Sequence, residues 1–187
     1  MCSSDLERRH ELVASLRALP EHVQGIVDRH DEIARIAHKY SRHRNFMYTG
    51  RGLGYPIALE GAIKLKEISY IHAEGVTGGE LKHGPIAMLD ENFPVIAMCT
   101  ASATKDKMVS NVHEIVARGA PVLALVTEGD HSLDGVATDL FVMPAVEEAA
   151  GTILNTVMLQ LFAYHVAVEL GQDVDQPRNL AKSVTVE

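Results

Sequence analysis

Three charged residues within IALEGAIKLKEIS, at positions 57–69, have types and spacing suited to proton transfer. At about 100° per residue, Glu60, Lys64 and Glu67 fall within about 60° of one another on a helix. They form a carboxylate–ammonium–carboxylate stripe. Leu59, Ala62, Ile63 and Ile68 cover much of the remaining surface, and Lys66 points elsewhere. A solvated helix spreads its charge over a broad polar face, so a narrow ionic stripe on an apolar helix suggests a polar cleft. There a lysine tunes the basicity of a neighbouring glutamate, and a partly buried glutamate serves as general base. The competing reading is surface decoration, in which such i,i+3 and i,i+4 pairs are worth about 0.2–0.5 kcal/mol each.

Other candidate groups are weaker when taken singly. GELKHGP at 79–85 sets Lys82 and His83 among glycines. Histidine can move a hydroxyl proton near neutral pH, but alone this one reads as an exposed loop residue, one of ten histidines. Lys182 is the only cation in the last nine residues. As a free amine it could form a Schiff base; alone it reads as a solvated tail lysine. GRGLG at 50–54 follows a strand candidate but does not complete G-x-G-x-x-G. It reads as a tight turn at the carboxyl end of a strand, which is still where open α/β sheets bind ligands. ASATKD at 101–106 reads as an ordinary helix N-terminus. No HExxH, HxH or CxxC pattern occurs, so no metal site is expected.

The elements that must position these groups follow from periodicity. Residues 5–41 are helical in pattern, with Ser4 or Asp5 as cap and Pro20 opening a second helix. We read 1–41 as a helical arm or linker, and 42–187 as one α/β domain with a C-terminal tail at 172–187. Strand candidates lie at 45–49, 69–74, 94–100, 121–127 and 139–143. Helices are expected at 57–69, at 105–118 before Gly119, and at 152–170 before Gly171. Alternating strands and helices with continuous apolar strands predict a three-layer α/β fold: a mostly parallel five-stranded sheet covered on both faces. The tail DVDQPRNLAKSVTVE, with its proline, cations and alternating valines, is expected to fold back over the site.

Composition narrows the partners. Hydrophobic residues make up 47% of 187, enough for a sizeable core. Seventeen Lys and Arg against 25 acids leave −8, which disfavours nucleic acid and anionic membrane surfaces. Small anionic substrates remain open, since a few local cations suffice to hold a phosphate. Cys2 and Cys99 are the only cysteines, consistent with a reducing cytoplasm. MCSSDLERRHE turns charged too early for a signal peptide, and no apolar run approaches the ~20 residues of a membrane span.

Three stretches, GRGLGYPIALEGAIKLKEISYIHAEG, GGELKHGPIAML and DVDQPRNLAKSVTVE, resemble the second sugar isomerase (SIS) half of the glutamine–fructose-6-phosphate aminotransferase family, the glucosamine-6-phosphate synthases. The resemblance implies a flavodoxin-like SIS fold and ketose-to-aldose isomerisation of fructose 6-phosphate during its amination to glucosamine 6-phosphate. Glu67 corresponds to the base that moves a proton between C1 and C2, and Lys64 to the cation that steers the enolamine oxygen. His83 corresponds to the ring-opening residue, which in the family reaches the partner subunit's site. Lys182 corresponds to the lysine that forms an imine with the ketose C2. Glu60 and Ala181 correspond to substrate-contacting positions. A homodimer is implied, and no metal or organic cofactor. The family's glutaminase domain and first SIS half, with its Ser/Thr-rich phosphate grip, have no counterpart in these 187 residues. The chain is therefore expected to be one piece of a larger enzyme, with weak or absent synthase activity alone. Two other readings remain open. SIS domains also serve as non-catalytic sugar-phosphate sensors, and the chain could act only by dimerising or completing a partner.

Overall fold

A computed structural model describes residues 3–178. Strands β1 (Asn45–Gly50), β2 (His72–Thr77), β3 (Val95–Cys99), β4 (Val122–Thr127) and β5 (Asp139–Met143) form one parallel sheet in the order β2-β1-β3-β4-β5. This is the flavodoxin-like order, with its switch point between β1 and β3. The helices are α1 (Ser3–Val27), α2 (His30–Tyr40), α3 (Gly54–Ser69), α4 (Lys105–Val116) and α5 (Glu148–Glu169).

Strand alternation divides the core into two layers. Phe46, Tyr48, Ile96, Met98, Leu123, Leu125 and Phe141 face α1, α2, α3 and α5. Met47, Val95, Ala97, Cys99, Val122, Ala124 and Val126 face α4, together with Leu81, Leu89 and Leu133 from the loops. Covering on both faces is why β3 and β4 read as unbroken apolar runs. Helix α5 is long and apolar enough to cross a membrane by length and composition. Here it is the central helix of its layer, and it buries Leu154, Met158, Leu159, Phe162 and Val166.

The first two helices share this core. Ile33, Ile36, Ala37 and Tyr40 of α2 recur at helical spacing and are buried. Arg29, between α1 and α2, binds Glu32 through Nε and Nη2 at 2.8 and 3.1 Å. Its guanidinium also lies 3.9 Å over the Phe141 ring and donates to the Val142 carbonyl at 2.6 Å. One side chain thus ties the helical pair to edge strand β5.

Local expectations fail at three places. Pro20 does not open a helix; α1 runs through it and ends at Val27. Proline removes one backbone bond, but Leu19, Val23 and Ile26 on successive turns pack against the core and hold the helix across it. The strand expected at 69–74 starts only at His72, because α3 keeps Ser69. The Ser69 hydroxyl donates to the Leu65 carbonyl at 2.6 Å and accepts from the Ile71 amide at 3.3 Å. The glycine loop at 79–85 is more ordered than read, with short 3-10 turns at Leu81–His83 and Pro85–Met88.

Two glycines set how closely α3 approaches its neighbours. A Cβ on Gly61 would stand 2.7 Å from Leu159 and 2.8 Å from Tyr48. A Cβ on Gly75 of β2 would stand 2.8 Å from the Leu59 Cα, which is backbone and cannot rotate away. Gly75→Ala should therefore displace α3 and destabilise the chain by about 1–3 kcal/mol. The expected result is a lower urea midpoint at unchanged slope.

Where α2 begins, the rings of His30 and of His165 on α5 are stacked, with centroids 6.2 Å apart. Among the described residues His165 Nε2 is buried without a partner. Burial first, and then the His30 charge, hold the His165 imidazole below its usual range, with Asp31 opposing. The unfolded chain therefore protonates first. This contribution is complete above the ordinary histidine value of about 6.5 and is lost as pH falls through the folded value. Urea midpoints at pH 7.5 and 5.5 should differ less in His165→Phe, which keeps a ring there without the titration, than in the parent chain.

Candidate active site

Helix α3 buries Ala58, Gly61, Ala62, Leu65 and Ser69, a stripe of i, i+3, i+4, i+7 and i+11 spacing, against β1, β2 and α5. Burying that stripe turns Glu60, Lys64 and Glu67 outward together. Lys64 Nζ lies 2.9 Å from Glu67 Oε2 and 3.7 Å from Glu60 Oε1. The side chains of Glu60, Lys64 and Glu67 keep 40, 34 and 39% of their surface exposed, so the cation is held between two carboxylates on a half-open face. Leu59 and Ile63 beside them are also exposed. The hydrogen bond that Lys64 donates to Glu67, against some opposing burial and with help from the charges of Glu67 and Glu60, raises the Lys64 pKa. Lys64 is therefore an ammonium at neutral pH. It can steer or stabilise negative charge, and its raised pKa makes it a poorer imine-forming amine than a lysine whose pKa is lowered.

The other expected residues are not all gathered here. His83 is exposed at the end of the Leu81–His83 turn. Leu81 of that turn is buried in the α4 layer, and neighbouring Lys82 pairs with Glu114 of α4 at 2.8 Å. The sheet thus separates the His83 turn from the layer of α3, and within one chain the two are not brought together. Lys182 and Ala181 lie outside the described residues.

The approach to that end of the chain is described. Tyr70 follows α3 directly, three residues past Glu67, in the left-handed region (φ 61°, ψ 16°). Such a conformation in a bulky residue costs about 1–3 kcal/mol. The Tyr70 hydroxyl accepts from the Arg178 amide at 2.9 Å, and the Arg178 guanidinium lies 3.9 Å over the Tyr70 ring. No periodicity signals this pair. Arg51 escaped the sequence reading too, although it stands inside the singled-out GRGLG. It donates to Asn111 Oδ1 and to the Gly78 carbonyl, both at 3.0 Å, and so pins the loop after β2 to α4.

At the switch point, Arg51, Thr100, Ser102, Glu148, Thr152 and Asn155 line a small polar recess. Asn155 Nδ2 donates to Thr100 Oγ1 at 3.0 Å, and its Oδ1 is buried without a partner among the described residues. The GRGLG turn is tight: a Cβ on Gly50 would meet the Gly54 carbonyl. Cys99 is buried and its thiol is pushed up to about 12, so it is not a nucleophile at neutral pH. Among the described residues no three His, Cys, Asp or Glu side chains converge as metal ligands would.

This architecture is shared with known proteins. Residues 39–170 match the family model described as SIS domain. A curated glutamine–fructose-6-phosphate aminotransferase (isomerizing) from Thermus thermophilus is 48% identical over 182 residues, covering 97% of this chain and 30% of the relative. That of Aquifex aeolicus is 48% identical over 181 residues, covering 97% and 31%. The chain therefore spans less than a third of the length of these relatives. Among solved structures, the C-terminal domain of glucosamine-fructose-6-phosphate aminotransferase from Francisella tularensis superposes with a TM-score of 0.83 at 38% identity, over 88% of this chain and 46% of that one. A tagatose-6-phosphate ketose/aldose isomerase from Escherichia coli shares the fold with a TM-score of 0.75 at 18% identity, over 88% of this chain and 46% of that one. The flavodoxin-like sheet and the match across residues 39–170 lead to one assignment: the chain belongs to the SIS domain family.

Proposed function

We propose that this chain is the second isomerase half of a glutamine–fructose-6-phosphate aminotransferase, acting on fructose 6-phosphate on the way to glucosamine 6-phosphate. The observation that carries the reading is the Lys64 ammonium held 2.9 Å from Glu67 on an α3 face half open to solvent. Identity of 48% to curated aminotransferases across 97% of the chain supports it.

On this reading the Lys182 amine condenses with the C2 carbonyl of the opened ketose and releases water, and ammonia supplied by the glutaminase part of the whole enzyme then adds at C2 and displaces Lys182 as the free amine, leaving the C2 imine of ammonia. The Glu67 carboxylate removes a proton from C1, and the electron pair moves into a C1–C2 double bond, giving an enolamine. Returning the proton to C2 completes conversion to the aldose level. Lys64, a permanent cation, sits where it can stabilise charge on the C1 oxygen, and Glu60 orients it from the other side. His83 handles the ring-oxygen proton. Since the sheet separates its turn from α3, it serves the site of a second copy of the chain in a homodimer. Such a reaction needs no oxidant and suits a reducing cytoplasm, where Cys99 stays a thiol.

The test is reductive trapping. Fructose 6-phosphate and borohydride should add one sugar to the Lys182 peptide, alone or with the preceding isomerase half of a relative supplied as a separate chain. Lys182→Ala should abolish the adduct. Glu67→Gln should still trap sugar but lose solvent deuterium exchange at C1 by about 10²–10⁴-fold. Sugar-phosphate binding that Lys182→Ala leaves intact, with no adduct in the parent chain, would instead identify a non-catalytic sensor.

A further inference from the structure

We propose that the cavity between the end of α2 and the starts of β4 and β5 binds a small anion that also carries hydroxyl groups. Arg42 takes the anionic group, and Tyr40 with Asp139 takes a hydroxyl. The cavity holds about 520 Å³, and Lys39, Tyr40, Arg42, Thr138 and Asp139 are among the residues that line it. That is the size of a small-ligand site. It lies at the amino edge of the sheet, since Asp139 is the first residue of β5 and Pro121, also in its lining, directly precedes β4. None of its lining residues lies on α3, so the inference stands apart from the isomerase reading.

The floor supplies hydroxyl recognition. Tyr40 is 2% exposed, yet among the described residues its hydroxyl has no hydrogen-bond partner. The same holds for Asp139 Oδ2, while Asp139 Oδ1 pairs with Lys39 Nζ at 2.5 Å. Buried polar groups are nearly always satisfied, so two orphaned atoms on one cavity floor point to a ligand group between them. Burial first, and then neighbouring Asp139, push the Tyr40 phenol up, so it keeps its proton. A phenol that donates and a carboxylate oxygen that accepts match one ligand hydroxyl, which accepts from Tyr40 and donates to Asp139.

The rim supplies the charge. Residues 38–45, HKYSRHRN, hold five basic side chains and no acid, in a chain of net −8. Lys39 is committed to Asp139, and His38 to Glu169 at 2.8 Å. Arg42 is exposed and meets no carboxylate among the described residues; its Nε donates to His43 Nε2 at 3.4 Å. The rest of its guanidinium fork is open to an anion. A helix C-terminus ordinarily disfavours anions through its bare carbonyls. Here those carbonyls are occupied. Ala37 accepts from the Ser41 amide at 2.8 Å, His38 from the Ser41 hydroxyl at 3.0 Å, and Tyr40 from the His43 amide at 3.0 Å.

Amide chemical-shift titration of the full chain tests this, with glucose 6-phosphate as the probe. The amides of Arg42, Thr138 and Asp139 should shift saturably. Glucose and inorganic phosphate each carry half of the recognition, and each should bind there at least tenfold more weakly. Arg42→Gln should weaken glucose 6-phosphate at least tenfold. Tyr40→Phe should do the same while leaving inorganic phosphate unchanged. It should also hold or raise the urea midpoint, because it deletes a buried hydroxyl that has no partner. A midpoint that falls shows that the hydroxyl is already satisfied inside the fold and overturns the proposal. Inorganic phosphate that binds as tightly as glucose 6-phosphate marks an adventitious ion only and overturns it too. So does either variant binding as the parent does, or a parent chain with no saturable shift at these amides. Shifts confined to α3 overturn this cavity's role while leaving the isomerase reading standing.

Discussion

The closeness of α3 to the sheet governs this molecule. Leu59 passes directly over Gly75 of β2, and Gly61 lets the helix sink onto Tyr48 and Leu159. Both approaches are closer than any side chain allows. They hold α3 at one height and rotation, and rotation decides which residues face outward. With Ala58, Ala62 and Leu65 buried, Glu60, Lys64 and Glu67 can only point away from the core. The candidate catalytic stripe is therefore a consequence of packing between an apolar helix face and two glycines.

Electrostatics acts on that geometry. Two carboxylates and one ammonium on adjacent turns of a surface helix are weak as a stability device. Their value lies in the fixed protonation state of Lys64, which Glu67 and Glu60 keep cationic. A permanent cation beside a carboxylate is useful where negative charge develops on a sugar oxygen. Leu59 and Ile63 are exposed alongside on the same half-open face.

Division of labour across the sheet shapes the rest. One layer holds α3 and the α1–α2 pair, fastened to β5 through Arg29; the other holds α4 and the loop bearing His83. Arg51 links the loop after β1 to the loop after β2 and to α4. A chain built this way presents its acid and its histidine on different sides.

Most of the sheet was readable in the sequence. Asp139–Met143 coincides with the expected strand, and the other runs are offset by a residue or so, apart from β2. Apolar strands buried on both faces and helices closed by Gly119 and Gly171 leave strong local marks. The stripe of Glu60, Lys64 and Glu67 was readable for the same reason, since helical periodicity alone puts the three together. Other features depend on partners far along the chain, and no local pattern encodes them. Helix α1 crosses Pro20 because Leu19, Val23 and Ile26 find the core. The end of α3 at Ser69, the left-handed Tyr70 and its hold on Arg178 became visible only once residues 108 positions apart met. Periodicity reports which way a side chain points along its own element; tertiary packing alone decides what stands there to meet it.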